Sequence, residues 1–405
     1  MNKSKIIDGI KELFELKRSL YESRENKRRI EMWKPGFVPD EYSPGEIAPY
    51  QASKRKEKRI PITADWDRMQ WSKLLGFDIS EFYRNPTEYM KWTLEIDIYR
   101  FNNFDDDTPL LKTIPIYLGT AYEPSLFGVP VNYSPLYEPL FTSGGAVIKT
   151  ESDLSKLEMP NFKSSGLMPL AHKFYEDISR FAPNDYNVIF PKWGRGPFGV
   201  AAAIVGMEDL LVLLIKNPKF VHKIMRMITD ARMEYTKNRR NFLKINEVDN
   251  TLWNDEASIP IISKNMYEEF CFPYEKEISN FYGGIRWWHS CGSKTPIIPI
   301  IKKIKNIGYI DLNWWTDDLM KSVKELNGEI PFDFRPSARD ITERIEIAIT
   351  NYLNGVFNIC GNANFSIRVD GFQPANATID DVNKMKRFLS ICKEVSEKRA
   401  NKEGG

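Results

Sequence analysis

The sequence predicts an α/β protein, a (β/α)8 TIM barrel preceded by a helical and extended N-terminal arm. Two observations carry this. Short runs rich in β-branched and aromatic residues recur at 188–193, 251–255, 285–289, 309–314, 330–334 and 356–360, and helical segments at 207–215, 218–240, 264–281, 295–305 and 338–353 alternate with them. Strands alternating with helices make βαβ units and a parallel sheet. Two earlier candidate strands, 60–64 and 114–118, bring the count to about eight, the number of a closed barrel. Second, no Gly-x-Gly-x-x-Gly fingerprint argues for an open dinucleotide-binding sheet.

Taken in order, residues 4–33 read as an amphipathic helix, with Ile6, Ile10, Leu13, Leu16 and Tyr21 at helical spacing among Lys, Glu and Arg. Residues 34–60 hold Pro35, Pro39, Pro44 and Pro49 and cannot continue it; they predict an extended arm on the main body. The charge run 54–59 is expected as a solvated loop. The chain therefore divides into an arm at 1–60, a barrel at 61–395 and a polar tail at 396–405. No fixed-period repeat is present.

The 57 basic and 55 acidic residues leave a net charge of +2, which gives no electrostatic footprint for nucleic acid or an anionic membrane. No apolar run approaches the roughly 20 residues of a membrane span, and residues 1–11 do not read as a signal peptide. A cytoplasmic protein is expected. Four cysteines and three histidines are too few and too scattered for a disulfide framework. His289 and Cys291 nevertheless fall two residues apart, in Trp288-His289-Ser290-Cys291-Gly292, where a predicted strand ends. Cys360 ends another, in Asn358-Ile359-Cys360-Gly361-Asn362. Active sites of parallel barrels form at the C-terminal strand ends, so these three would rise from one face. Two thiolates and an imidazole suit Zn²⁺. The residues alone leave a second reading open, in which both cysteines are small buried apolar groups and His289 a hydrogen-bonded core imidazole. Cys271, Cys392, His172 and His222 fall in helical segments and predict structural or surface roles.

Trp193, Trp253, Trp287, Trp288, Trp314 and Trp315 fall in or at the ends of predicted strands. Each alone would pack between barrel and helices, but so many at one level suggest an aromatic-lined cavity for a methoxylated aromatic or a methylated ammonium. Asn313, Asp333 and Arg335 are candidate polar partners for such a substrate. Asp255 and Glu256 are candidate catalytic carboxylates, as a fourth metal ligand or a general acid; capping the next helix is the competing role.

Segment 285–301 resembles the His-x-Cys-Gly segment of the uroporphyrinogen decarboxylase superfamily, and within it the cobamide-dependent methyltransferases. Gly196-Pro197-Phe198 followed by Asn217-Pro218, and Asn254–Ser258 followed by Phe272-Pro273-Tyr274, are similar to two further stretches of that family. The resemblance implies a barrel over about 60–395 and zinc held by a His-x-Cys pair and a distant Cys, positions that match His289, Cys291 and Cys360. It also implies methyl transfer between a small substrate and a corrinoid (cobalamin). Residues 31–42 contain no arginine to bind porphyrin carboxylates, and no Asp-x-His-x-x-Gly corrinoid-binding signature is present. The expected reaction is O-demethylation of a methoxylated aromatic, with the corrinoid supplied by a separate protein in an anaerobic cell. A thiol-methylating enzyme of the coenzyme M type, a metal-free lyase and a non-catalytic docking module are the alternatives. The Pro-rich arm leaves a homodimer open.

Overall fold

A computed structural model of the chain describes residues 3–33, 58–141, 145–245, 251–372 and 377–403. Its frame is eight strands: β1 (Ile62–Trp66), β2 (Thr113–Pro115), β3 (Asn187–Ile189), β4 (Thr251–Trp253), β5 (Ile285–His289), β6 (Ile307–Asn313), β7 (Phe332–Arg335) and β8 (Phe365–Phe372). Six form one parallel sheet in the order β1-β8-β7-β6-β5-β4, and β2 pairs in parallel with β3. A bridge between Arg195 and Trp253 links the β3 side to β4. Helices alternate with the strands, and Ile285, Ile310, Leu312, Phe334 and Ile367 are fully buried, as in a sheet covered on both faces. This is the TIM-barrel-type α/β fold, with a break between β1 and β2, which are not paired among the described residues.

The N-terminal helices seal that break. The helix expected over 4–33 is two, α1 (Lys3–Tyr21) and α2 (Arg24–Met32), because the Ser23 side chain caps α2 by accepting from the Asn26 amide. At the break, β1 would present bare N–H groups. Asp107 accepts from Ile62 N and Asp106 from Ala64 N, both at 2.9 Å, so two carboxylates stand where a neighbouring strand's carbonyls would be. Arg29 of α2 reaches Asp106 at 2.9 Å and Arg59 grips Asp107 at 2.6 and 2.7 Å. Asn26 pairs with the Leu110 backbone in both directions, at 3.0 and 2.7 Å. Residues 34–57, most of the expected Pro-rich arm, lie outside the described residues. Arg59, expected in a solvated charge run, is instead 4% exposed, because Asp107 pulls it into the seam.

Two further expectations are corrected. Residues 356–360 are the end of the helix Glu346–Cys360, whose buried Ile349, Tyr352, Leu353, Val356, Phe357 and Cys360 follow helical spacing; the last strand begins at Phe365. The expected polar tail, as far as Glu403, is the end of the helix Ile379–Glu403. Among the described residues no single helix is long and apolar enough to cross a membrane.

Candidate active site

β5 carries His289 out of the sheet and hands the chain to the loop Ser290–Lys294. That loop docks on the one following β4: Ile259 and Ser293 exchange backbone hydrogen bonds at 3.4 and 3.1 Å, and the Cys291 amide donates to Asp255 Oδ1 at 2.9 Å. The approach is close enough that a Cβ on Gly292 would lie 2.3 Å from the Ser258 Cβ, which explains the glycine after Cys291. The result is a cluster. His289 Nε2 lies 3.3 Å from Asp255 Oδ1 and 3.6 Å from Cys291 Sγ, and among the described residues Asp255, His289 and Cys291 form the group whose ligand atoms all lie within 4.8 Å of one another.

Asp311, buried on β6, accepts from His289 Nδ1 at 3.0 Å and turns Nε2 toward Asp255 and Cys291. The fully buried Lys294 lies 3.4 Å from Asp311 and 3.0 Å from Asp317, and donates to the Ser290 carbonyl at 2.7 Å. Burial alone would lower the His289 pKa, but the Asp311 and Asp255 carboxylates outweigh it and raise the imidazole well above its ordinary value. Conversely, burial is overcome at Asp255 and Asp311 by the facing imidazole, and both carboxyls are held well below the usual range.

Asp255 and His289 open on a cavity of about 610 Å³ whose wall includes Trp253, Trp287, Tyr117 and Arg335. The indole N–H groups of Trp253 and Trp287 are buried and have no hydrogen-bond partner. Of the residues expected to line a substrate cavity, Trp253, Trp287 and Arg335 lie here. The others do not. Trp288 is the β5 residue that alternates outward, and its indole donates to Glu275 in the helix layer at 2.8 Å. Trp193 packs edge-on against Phe127 and Tyr235. Trp314 lies outside the cavity against Phe334 and Tyr352. Asp333 is fully buried on Arg368 at 2.6 Å. Asn313 donates to the carbonyls of Ser290 and Cys291 at 2.9 and 3.2 Å, so it shapes the ligand loop. Glu256, a candidate catalytic carboxylate, pairs with Arg195 away from the cavity wall.

Cys360 is the main correction. It ends a helix that leads into β8, whereas His289 sits where β5 leaves the sheet, so the two belong to opposite ends of the barrel. Burial pushes its thiol up to about 12, the state of a packed apolar side chain. Asp255 stands in the place expected for a second thiolate. His172 and His222 are likewise elsewhere, on Phe162 and Tyr274, and Cys271 and Cys392 are buried. Sequence reasoning missed Asp311, although a carboxylate inside the apolar β6 run was a signal. It also gave no sign that Glu138 and Tyr117 line the cavity, because both stand on connections without a motif.

The family model of uroporphyrinogen decarboxylase (URO-D) matches residues 73–332. Among solved structures the chain is similar to a methyltransferase from Methanosarcina mazei, with a TM-score of 0.62 at 12% identity, over 85% of this chain and 96% of that one. No curated protein matches it. With well over half of its length under the family model and the fold shared, the chain belongs to the uroporphyrinogen decarboxylase family.

Proposed function

We propose that this chain is a zinc-dependent methyltransferase that takes a methyl group from a small methoxylated aromatic and passes it to a corrinoid carried by a separate protein. One observation carries the reading: Asp255, His289 and Cys291 converge within 4.8 Å, and two of them open on an aromatic-walled cavity. A carboxylate, an imidazole and a thiol fit zinc, and three protein ligands leave a position for substrate. When bound, zinc supplies Lewis acidity to a substrate oxygen. The protein's own residues do the rest. Asp311 fixes the tautomer that presents Nε2. Asn313 and Lys294 hold the Cys291 loop by its carbonyls. Trp253 and Trp287 offer ring faces to an aromatic guest and exclude water. The similar fold of a methyltransferase agrees with this chemistry.

In this reading the corrinoid comes on a separate protein that docks against the barrel. The exposed Leu136, Ile261, Trp315 and Ile345, in connections after strands, and Met320 and Ile379, in the first turns of the helices after β6 and β8, are the apolar side chains this reading assigns to that contact. Reduced corrinoids are destroyed by oxygen, so the reading places the enzyme in an anaerobic cytoplasm. A metal-free lyase is the second reading, favoured by the pairing His289 already has with two carboxylates.

Elemental analysis of untagged protein, combined with the visible spectrum of a reduced corrinoid protein mixed with methoxyarenes, methylated amines, methanol and methyl thioethers, decides between them. Near-stoichiometric zinc and methylation by a methoxyarene are expected. Turnover of a carboxylated substrate without zinc would establish the lyase instead.

A further inference from the structure

The cavity wall holds a carboxyl that the ligand cluster does not use. Glu138 lies in the loop of a short hairpin that pairs Val131–Asn132 with Leu140–Phe141, and it lines the same cavity as Asp255 and His289. The Tyr83 hydroxyl donates to its Oε2 at 3.3 Å and the Tyr117 hydroxyl to its Oε1 at 3.5 Å. Tyr117 continues toward the metal ligands: its ring meets Trp253 edge-on at 6.2 Å, and Trp253 is the strand partner of His289. The hairpin is held low over the cavity by Gly119, at φ 88°, where any Cβ would come within 2.8 Å of the Pro139 carbonyl oxygen. The titratable and charged groups around Glu138 are Asp67, after β1, Tyr83, Tyr117, after β2, and Arg195, after β3. Arg195 is bound to Glu256 instead. Burial, reinforced by the Asp67 charge, raises the Glu138 carboxyl to about 7 against the weaker opposition of the two hydroxyls and of the Arg195 charge.

We propose that Glu138 is the proton donor to the substrate oxygen that loses its methyl group, with Tyr83 and Tyr117 as positioning residues. The inference rests on the O-demethylation reading. In that reaction the methyl–oxygen bond breaks and the methyl carbon bonds to the reduced corrinoid of the partner, whose electron pair makes the new bond. The oxygen keeps the pair of the broken bond and takes the Glu138 proton, which solvent then restores. A carboxyl with a pKa near the working pH suits this task.

The test is single-turnover demethylation of anisole by the full-length protein with reduced cobalamin as acceptor, read from the visible spectrum, beside the anisole Kd from calorimetry. In the wild type the rate falls as pH rises through about 7. Glu138→Gln keeps the Kd, loses about 10²–10⁴-fold in rate and flattens the pH profile. Its deficit shrinks for 4-nitroanisole, whose nitrophenolate leaves without a proton. Tyr83→Phe removes a donor to the carboxylate and moves the break to higher pH. Wild-type rates and pH profile in Glu138→Gln, or an equal deficit with 4-nitroanisole, would overturn the proposal while leaving the O-demethylation reading intact. If the wild type transfers no methyl group from any methoxyarene, that reading fails and takes this one with it.

Discussion

His289 stands between two carboxylates, with Nδ1 3.0 Å from Asp311 and Nε2 3.3 Å from Asp255. Two of the four cysteines could complete a metal site around it, and their surroundings separate them. Cys291 is exposed beside the imidazole. Cys360 is buried in a helix end, with a thiol raised to about 12. Cys291→Ser and Asp255→Ala are expected to abolish stoichiometric zinc. Cys360→Ala is expected to keep it and to cost about 1 kcal/mol of stability. Elemental analysis and urea melts check both, and zinc lost in Cys360→Ala would restore that thiol to the ligand set.

At the level of elements, two loops and one helix set the ligand geometry. The loops after β4 and β5 meet at Gly292 and Ser258 with no room for a side chain. Gly292→Ala must push them apart, and we expect weaker zinc binding in a folded protein, read by chelator competition alongside the melting curve. Behind β5, the helix Phe272–Tyr282 offers Glu275, whose Oε2 accepts from Trp288 at 2.8 Å and from Tyr267 at 2.7 Å. Burial raises this carboxyl from 4.5 to about 7. The folded state therefore binds the proton more tightly than the unfolded chain. The stability this gives is complete below about pH 4.5 and is lost as pH rises through about 7, a change of up to about 3 kcal/mol. Urea unfolding across that range should show the slope in the wild type and a flatter one in Glu275→Gln.

On the scale of the whole molecule, the break between β1 and β2 makes the N-terminal helices part of the barrel. Asp106 and Asp107 take the place of a strand edge, and they are buried with Arg29 and Arg59. Removing one member leaves an uncompensated buried charge, so Arg29→Ala should cost about 3–5 kcal/mol in urea unfolding. A change no larger than that of a surface Arg→Ala would show that the seam does not hold the barrel together. The same break widens the interior, and the cavity runs along it past Thr113, Tyr117 and Trp253 to His289.

The alternation of strands and helices and the end of β5 at His289 were legible in the sequence, because short β-branched and aromatic runs between amphipathic helices leave few packings. The sequence also marked His289 and Cys291, whose local Trp-His-Ser-Cys-Gly segment carries its own geometry. Residues 356–360 misled because Val356, Phe357 and Cys360 satisfy strand composition and helical spacing at once, and the tie is broken by packing against the helix Ile379–Glu403. The sequence offered Asp255 and Glu256 alike as a further ligand, and the choice of Asp255, 34 positions from His289, came from the docking of two loops. Tertiary structure alone decided that Trp253 faces the cavity while Trp288 does not, since one residue of strand register reverses a side chain. Contacts between distant segments fix burial and charge, and burial and charge fix which rare residue is chemistry and which is core.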